Sequence, residues 1–453
     1  MSAHRLLLRD APFRTPARNR CFSSRPSLDY NLPDADDNDQ AVILNLIFGS
    51  LALLSVALIL WQWLVAQRFP LHQRVPQPST LNPQPPVTLL KPLKGCDPAT
   101  EDCLRSWFTQ QYAAATQILF GVAAAADPVC AIVRKLLQEF PDRDAQLVVC
   151  GPPSGTNAKV SQLVELERQA KHDVLIISDA DVRVPPDFLS NFIAPLCEVP
   201  PSNPPSEEFG PQNLFSSVSI CGSPPPGCGL VCCFYRLANP TTLAMQWEVI
   251  AVNADFWSQV LQSRSLKPID FALGAVMAIR RQQLREIGGF DALVDCLADD
   301  YLLGNRIARR GYSIALSPVV VDCWSAPMGW ASVWKHQLRW ARTIRVCQPV
   351  PYFFSLLSNA TLWPLLWLIL HPVSPVCVFA LCCWLTRIMT ALNLEQRLTQ
   401  GRILIALGWL VPVKDLLQTA IWLLAFLGNR VEWRGRQMRL RHDGTLERLD
   451  LAG

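Results

Sequence analysis

Two carboxylates, Asp179 and Asp181, close the apolar run Leu-Ile-Ile-Ser-Asp179-Ala-Asp181-Val-Arg-Val. Anionic groups at a strand's carboxyl end cost solvation unless they meet water or a cation. A divalent metal carrying a diphosphate is one such cation, and hard oxygen ligands suit Mg²⁺ or Mn²⁺. The layout is suited to holding a nucleotide-sugar. Asp-x-Asp is also common in solvated loops, so this pair is read together with the rest of the chain.

A second acidic pair, Asp299-Asp300, opens the stretch Asp-Asp-Tyr-Leu-Leu-Gly304, which reads as a helix ending near Arg310-Gly311. Acidic residues in a first helical turn are favoured by the macrodipole, and that alone would explain them. The chemical reading makes Asp300 a general base for an acceptor hydroxyl, with Asp299 available to hold the position instead. Further on, His336, Arg339 and Trp340 stand at i, i+3 and i+4, on one face of a helix. Arg339 offers a planar fork for phosphate oxygens, and Trp340 an apolar wall for sugar or acceptor. An amphipathic helix lying against lipid head groups uses the same residues, and Trp330 and Trp334 fit that role too.

Three smaller features complete the set. Ser154-Gly-Thr-Asn157-Ala-Lys159 is a donor-rich turn, in which Lys159 is placed to meet uracil or diphosphate; a solvated turn has the same composition. Lys91-Pro-Leu-Lys94-Gly95 borders either a nucleotide or a membrane surface. Asp127-Pro128 reads as an acceptor of hydrogen bonds from uracil or ribose, or as a helix N-cap with proline at N1.

These residues need a scaffold, and composition bounds it. The chain has 453 residues, 50% hydrophobic and 17% charged, with mean hydropathy +0.18. That is too apolar for an ordinary soluble enzyme and too polar for an all-membrane protein, so a soluble domain with several membrane segments follows. A net charge of +4 does not indicate nucleic acid. The 16 Cys are scattered through apolar runs without a disulfide framework, and no Cys-x-x-Cys pairs lie near His ligands. They read as buried thiols in a reducing compartment, with no zinc site.

Residues 1–40 read as a disordered extension. Its first 27 residues carry six Arg and one acid, as a transit peptide would. Residues 41–67 are apolar and long enough to span a bilayer as a helix. The acidic flank before them and Arg68, His72 and Arg74 after them place the following domain in the cytoplasm. Short apolar runs at 87–90, 117–123, 146–149, 173–178 and 229–234, separated by helical patterns, predict an α/β domain over 87–345 with a mainly parallel sheet. Ligands bind such sheets beyond the strands' carboxyl ends, where Asp179 and Asp181 lie. The Pro/Ser/Gly-rich 199–226 reads as a mobile insertion. Residues 353–428 hold candidate spans at 353–371, 375–393 and 403–428. Pro412, Lys414 and Asp415 make a broken or re-entrant helix the expectation for the last. Residues 429–453 form a basic tail that belongs on the cytoplasmic side. Three full crossings would leave it outside, so one segment fails to cross or divides in two.

Taken together, the chain resembles the ceramide glucosyltransferase family, membrane-bound GT-A-type inverting glycosyltransferases. The marks are KPLKG at 91–95, Asp127-Pro128, SGTNAKV at 154–160, SDADVRV at 178–184, LGAVMAIRRQQLREIGGF at 273–290, ADDYLLGNRIARRGY at 298–312, and RW at 339–340. They run in family order, and together they cover nearly the whole chain outside the N-terminal extension and 199–226. The resemblance implies a Rossmann-like GT-A domain between N- and C-terminal transmembrane helices, in a multi-pass protein. It carries the family's three aspartates onto Asp127, Asp179 and Asp300, and its terminal motif onto His336, Arg339 and Trp340. His336 stands where the family has Gln or Arg, and an Ala run at 123–126 precedes Asp127 where polar residues are usual.

The implied reaction moves glucose from UDP-glucose to the hydroxyl of a membrane lipid, ceramide first among candidates, with inversion to a β-glucoside. Asp300 is the implied base, Asp181 and Asp179 hold Mg²⁺ or Mn²⁺, and Asp127, Lys159, Asp179, His336, Arg339 and Trp340 surround the donor. Diacylglycerol or a hopanoid is the alternative acceptor. A polysaccharide synthase would need more spans, and a non-catalytic protein would have no use for carboxylates at 179, 181 and 300.

Overall fold

The computed structural model describes residues 35–74, 84–197, 227–401, 407–433, 436–441 and 443–448. The transit-like stretch, most of the N-terminal extension and the 199–226 insertion lie outside the described residues.

Eight strands form one sheet: β1 (Val87–Pro92), β2 (Thr116–Val122), β3 (Asp144–Val149), β4 (Val174–Ser178), β5 (Val182–Arg183), β6 (Cys228–Leu237), β7 (Val276–Arg280) and β8 (Ser313–Cys323). Their order is β3-β2-β1-β4-β7-β6-β8-β5. The first four strands run parallel, as the apolar runs predict. β7 then enters antiparallel between β4 and β6, and β6 and β8 are parallel again. This reversal has a consequence for the site. The register pairs Ser178 with Val276, so the N-terminal end of β7 lies beside the C-terminal end of β4. The carboxyl ends of β6 and β8 reach the same edge. One edge of the sheet therefore gathers residues from near 92, 122, 149, 178, 237, 275 and 323.

Consecutive side chains alternate between the two faces. Leu89, Ile176, Val231 and Cys233 face a core built with Phe108, Val133, Phe188 and Phe192. Leu90, Ile177, Cys232 and Phe234 face the other core, with Val160, Leu163, Trp257 and Leu303. Burial on both faces is why these strands read as continuous apolar runs rather than alternating ones. The second core also takes in Ala66, Phe69, Leu394, Leu398 and Val411, so it continues into the apolar helices.

Among the described residues, two helical stretches are long and apolar enough to cross a membrane, Asp39–Arg68 and Ser374–Thr399. A third, Pro349–Ser358 with Leu362–Leu370, is bent by 54° at its break. The sequence placed the broken segment at 403–428; the break falls at 359–361 instead. There the Asn359 side-chain oxygen accepts from the backbone N–H of Thr361 (3.1 Å) and Leu362 (2.9 Å) and starts a new helix. Helix Leu410–Phe426 stays unbroken across Lys414 and Asp415 because their charges are met. Arg387 bonds Asp415 at 2.8 and 2.9 Å and Asp255 at 2.9 Å, Lys414 pairs with Asp415 at 2.7 Å and with Asp255, and Thr361 donates to Asp415 at 2.6 Å.

The basic tail, read from sequence without structure, is a three-stranded antiparallel sheet: β9 (Arg430–Trp433), β10 (Arg436–Leu440) and β11 (Leu446–Arg448). Val431, Met438, Leu440 and Leu446 pack on Leu297, directly before the Asp299-Asp300 pair. All described cysteines are free thiols; Cys96, Cys377 and Cys382 are exposed rather than buried as the sequence suggests.

Candidate active site

Asp179 and Asp181 occupy the turn that follows β4. Asp179 is fixed through its backbone, with its N–H donating to the Ala275 carbonyl at 3.2 Å. Its carboxylate is 38% exposed. The Asp181 carbonyl accepts from Trp324 N–H at 3.0 Å and from the Cys103 thiol at 3.4 Å, which ties the turn to β8 and to helix Thr100–Phe108. Asp181 is an exposed residue of this turn, with protein packed around its carboxylate. Loss of hydration there, reinforced by the Asp179 charge, pushes it up to about 6.

Lys159 joins the two acidic pairs. Its ammonium lies 2.7 Å from Asp179 Oδ1 and 3.1 Å from Asp299 Oδ2. Burial works against its charge, but Asp179 and Asp299 outweigh that and raise its pKa above the usual lysine range. Asn157 sets its position. The Asn157 side-chain oxygen caps helix Ala158–Gln169, accepting from Lys159 N–H (3.0 Å) and Val160 N–H (3.2 Å). The Asn157 amide donates to the Cys296 carbonyl at 2.8 Å and to Asp299 Oδ1 at 3.4 Å.

The two members of the second pair differ. Asp299 is 9% exposed and held by Lys159 and Asn157. Asp300 is half-buried, and Tyr301 N–H donates to its Oδ1 at 2.8 Å. No cation pairs with its carboxylate among the described residues. Burial, then the Asp299 charge, pushes Asp300 up to about 6. Its other oxygen lies against Gly274, where a Cβ would stand 2.5 Å away. Only glycine at 274 leaves Asp300 this position beside the mouth of β7.

Asp127 sits elsewhere in the same edge. Both its carboxylate oxygens accept from Gly95 N–H (3.0 and 3.1 Å), and one accepts from Val129 N–H (3.0 Å). It thereby clips the KPLKG loop to the start of helix Val129–Glu139, the capping role that its sequence allowed. Lys91 is fully buried, its ammonium 3.1 Å from Ser178 Oγ and donating to the Asp179 carbonyl. Burial lowers its pKa to about 8. It braces the end of β4 from beneath and does not border an open site; Lys94 is the exposed residue of that loop.

His336, Arg339 and Trp340 lie on one helix, Trp330–Cys347, each half-buried. His336 Nδ1 is 2.7 Å from Glu248 Oε1, and Gln337 donates to the same oxygen at 2.9 Å. Glu248 is 1% exposed and went unnoticed in the sequence, because nothing near residue 248 marks a partner almost 90 residues away. The His336 and Trp340 rings meet edge-on at 4.7 Å.

The model for glycosyl transferase family 21 matches residues 47–200 and 218–446. The chain belongs to this family. Among its relatives in Caenorhabditis elegans, ceramide glucosyltransferase 1 is 25% identical over 251 residues, 54% of this chain and 46% of the relative. Ceramide glucosyltransferase 3 of the same organism is 22% identical over 392 residues, 84% of this chain and 77% of the relative. The chain thus spans about half the length of the first relative and about three quarters of the second. Of solved structures, a mannosyltransferase from Pyrobaculum calidifontis in complex with GDP-Man and Mn²⁺ covers 85% of this chain and 98% of its own, at 20% identity and TM-score 0.48. The family 21 chain has the expected α/β sheet, mainly parallel, with apolar helices before and after it.

In this family 21 chain no group of three or more His, Cys, Asp or Glu side chains converges on one point among the described residues. Asp179 and Asp181 supply two hard oxygen groups, and one Asp179 oxygen already meets the Lys159 ammonium at 2.7 Å. That donor set fits a divalent cation whose remaining ligands are water and diphosphate oxygens.

Proposed function

We propose that this chain is an inverting hexosyltransferase that moves glucose from UDP-glucose to the hydroxyl of a membrane lipid, ceramide first. One observation carries the reading: Asp300, with no cation paired to it among the described residues, stands at the carboxyl edge of the sheet, beside a Lys159 that bridges Asp299 and Asp179. Membership of family 21 and the two ceramide glucosyltransferase relatives support the acceptor class.

The UDP diphosphate lies over Asp179 and Asp181. Asp179 and Asp181 would hold a divalent cation, Mg²⁺ or Mn²⁺, which would supply positive charge against the departing UDP. Lys159 adds a second positive charge at the same place, and its two carboxylate partners hold it there. Arg339 and Trp340 close the donor site from helix Trp330–Cys347. Asp300 takes the proton of the acceptor hydroxyl as that oxygen bonds to the anomeric carbon and the bond to UDP breaks. Attack opposite the leaving group gives the β-glucoside. Arg68 at the end of the first apolar helix, with His72 and Arg74 after it, supports a cytoplasmic side for the catalytic domain of a multi-pass protein.

The test is Asp300→Asn in detergent-solubilised full-length protein, with UDP-glucose and ceramide. Turnover is expected to fall by about 10²–10⁴-fold while UDP binding stays within about twofold. Mass spectrometry of the wild-type product reports sugar and acceptor together. Turnover retained in the Asn variant ends the base assignment, and no glycosylated lipid from the wild type ends the whole reading.

A further inference from the structure

Two irregularities in the backbone meet at one contact. Between the pairs Cys233–Ser317 and Tyr235–Val321, β8 carries two more residues than β6. Such bulges re-aim side chains and concentrate next to active sites. The helix after β6 widens into a π-helical turn at Ile250–Phe256, a rare form that also concentrates at functional sites. The Tyr235 and Phe256 rings, one from each irregularity, lie 5.8 Å apart. Phe256 is in turn 6.2 Å from Trp340. All three are half-buried, so each keeps a ring surface uncovered.

The row touches two places that a lipid acceptor must connect. At one end stands Tyr235, half-buried near the carboxyl end of β6, on the sheet edge that also receives the carboxyl end of β4. Protein packed around it pushes its pKa well above the ordinary value, so it remains a donor. The middle ring, Phe256, stands on the π-helical turn, which is anchored to the apolar helices through Asp255, paired with Arg387 and Lys414. The same turn is tied to the sheet by Asn253, which exchanges two hydrogen bonds with the Leu237 backbone (2.9 and 3.2 Å). A row of aromatic faces ending in one phenol suits an amphiphile with alkyl chains and a hydroxyl-bearing head.

We propose that Tyr235, Phe256 and Trp340 line the path of the acceptor lipid, and that the Tyr235 phenol donates a hydrogen bond to its head as that head reaches Asp300. This rests on the glycosyltransferase reading and adds Tyr235 and Phe256 as acceptor-binding residues.

Tyr235→Phe and Phe256→Ala, in the full-length protein, test it with UDP-glucose and ceramide. Two quantities are measured: ceramide-stimulated UDP release, and UDP binding without lipid. Tyr235→Phe should lower lipid-dependent kcat/KM about three- to tenfold. Phe256→Ala should raise the ceramide KM about tenfold. UDP binding should change less than twofold in both. A ceramide carrying a diazirine beside its amide should label β6 or the 250–256 turn, whatever the turnover. The proposal is overturned if both variants keep wild-type ceramide kinetics, if UDP binding falls as much as lipid use, or if the label lands elsewhere. A wild type that releases UDP without any lipid response instead rejects the acceptor reading beneath it.

Discussion

Asp299 and Asp300 are adjacent and alike in type, yet the fold separates them. Asp299 is locked against Lys159 and Asn157, whereas Asp300 faces the mouth of β7 with its pKa raised to about 6. A base must be ionised to accept a proton, and a raised carboxyl is ionised only above its own pKa. Activity in the proposed reaction is therefore full above pH ~6 and falls up to about tenfold per unit below it. A kcat/KM profile for the acceptor from pH 4.5 to 8 measures this limb. Asp299→Asn removes one of the charges that raise Asp300, so its limb should lie at lower pH. An unshifted limb in that variant would assign the titration to another group.

At the level of elements, the tail sheet acts on the carboxylates through one loop. Leu446 N–H donates to the Asp295 carbonyl at 2.7 Å, and Leu297 N–H to the Gly444 carbonyl at 3.2 Å. The same loop accepts from Asn157 N–H at the Val294 carbonyl (2.7 Å) and from Thr156 N–H at the Asp295 carboxylate (2.8 Å). The tail thus holds Asp299, Asp300 and, through Asn157, Lys159. It is itself fastened to helix Trp330–Cys347 by Lys335–Glu432 (2.9 Å) and by Arg342 and Arg345, which bond residues 430 and 429. Ending the chain at Gly428 should lower turnover by about tenfold or more, since misplacements near 1 Å cost up to about 10²-fold. Asp295→Ala, which cuts only the Thr156 tie, should give a smaller loss in turnover with ceramide KM unchanged. Steady-state rates of both variants, with UDP binding as the control for folding, decide it.

Across the whole molecule, the buried quartet Asp255, Arg387, Lys414 and Asp415 links three distant stretches of chain. It has two positive and two negative charges, so it is neutral as a set, and each member is below 12% exposed at its side chain. Removing one partner strands a charge in a medium that cannot solvate it. Arg387→Met should destabilise the protein by about 3–5 kcal/mol, read as a lower melting temperature in detergent. Replacing all four by apolar residues of similar volume should recover most of that loss. A single variant that melts like the wild type would mean that water reaches the site.

The sequence alone determined what is local. Continuous apolar runs announced β1, β2, β4 and β6, because strands buried on both faces carry no alternation to confuse the pattern; β3, the edge strand, was marked only by its short apolar end. Apolar length announced Asp39–Arg68 and Ser374–Thr399. The motifs gave the acidic pairs and the basic-aromatic helix as candidate site residues. Only the tertiary structure decided what depends on contacts between distant residues. It brought β7 in antiparallel beside β4, which sets Gly274 against Asp300 and Ala275 against Asp179. It turned Lys159 inward between two carboxylates, buried Lys91 beneath β4, and paired His336 with Glu248. It also moved the helix break from 403–428 to 359–361, since Lys414 and Asp415 found partners near 255 and 387. Hydropathy and spacing report each residue's own preference. A charge's partner, and so whether it is a brace or a reactive group, is a property of the folded chain.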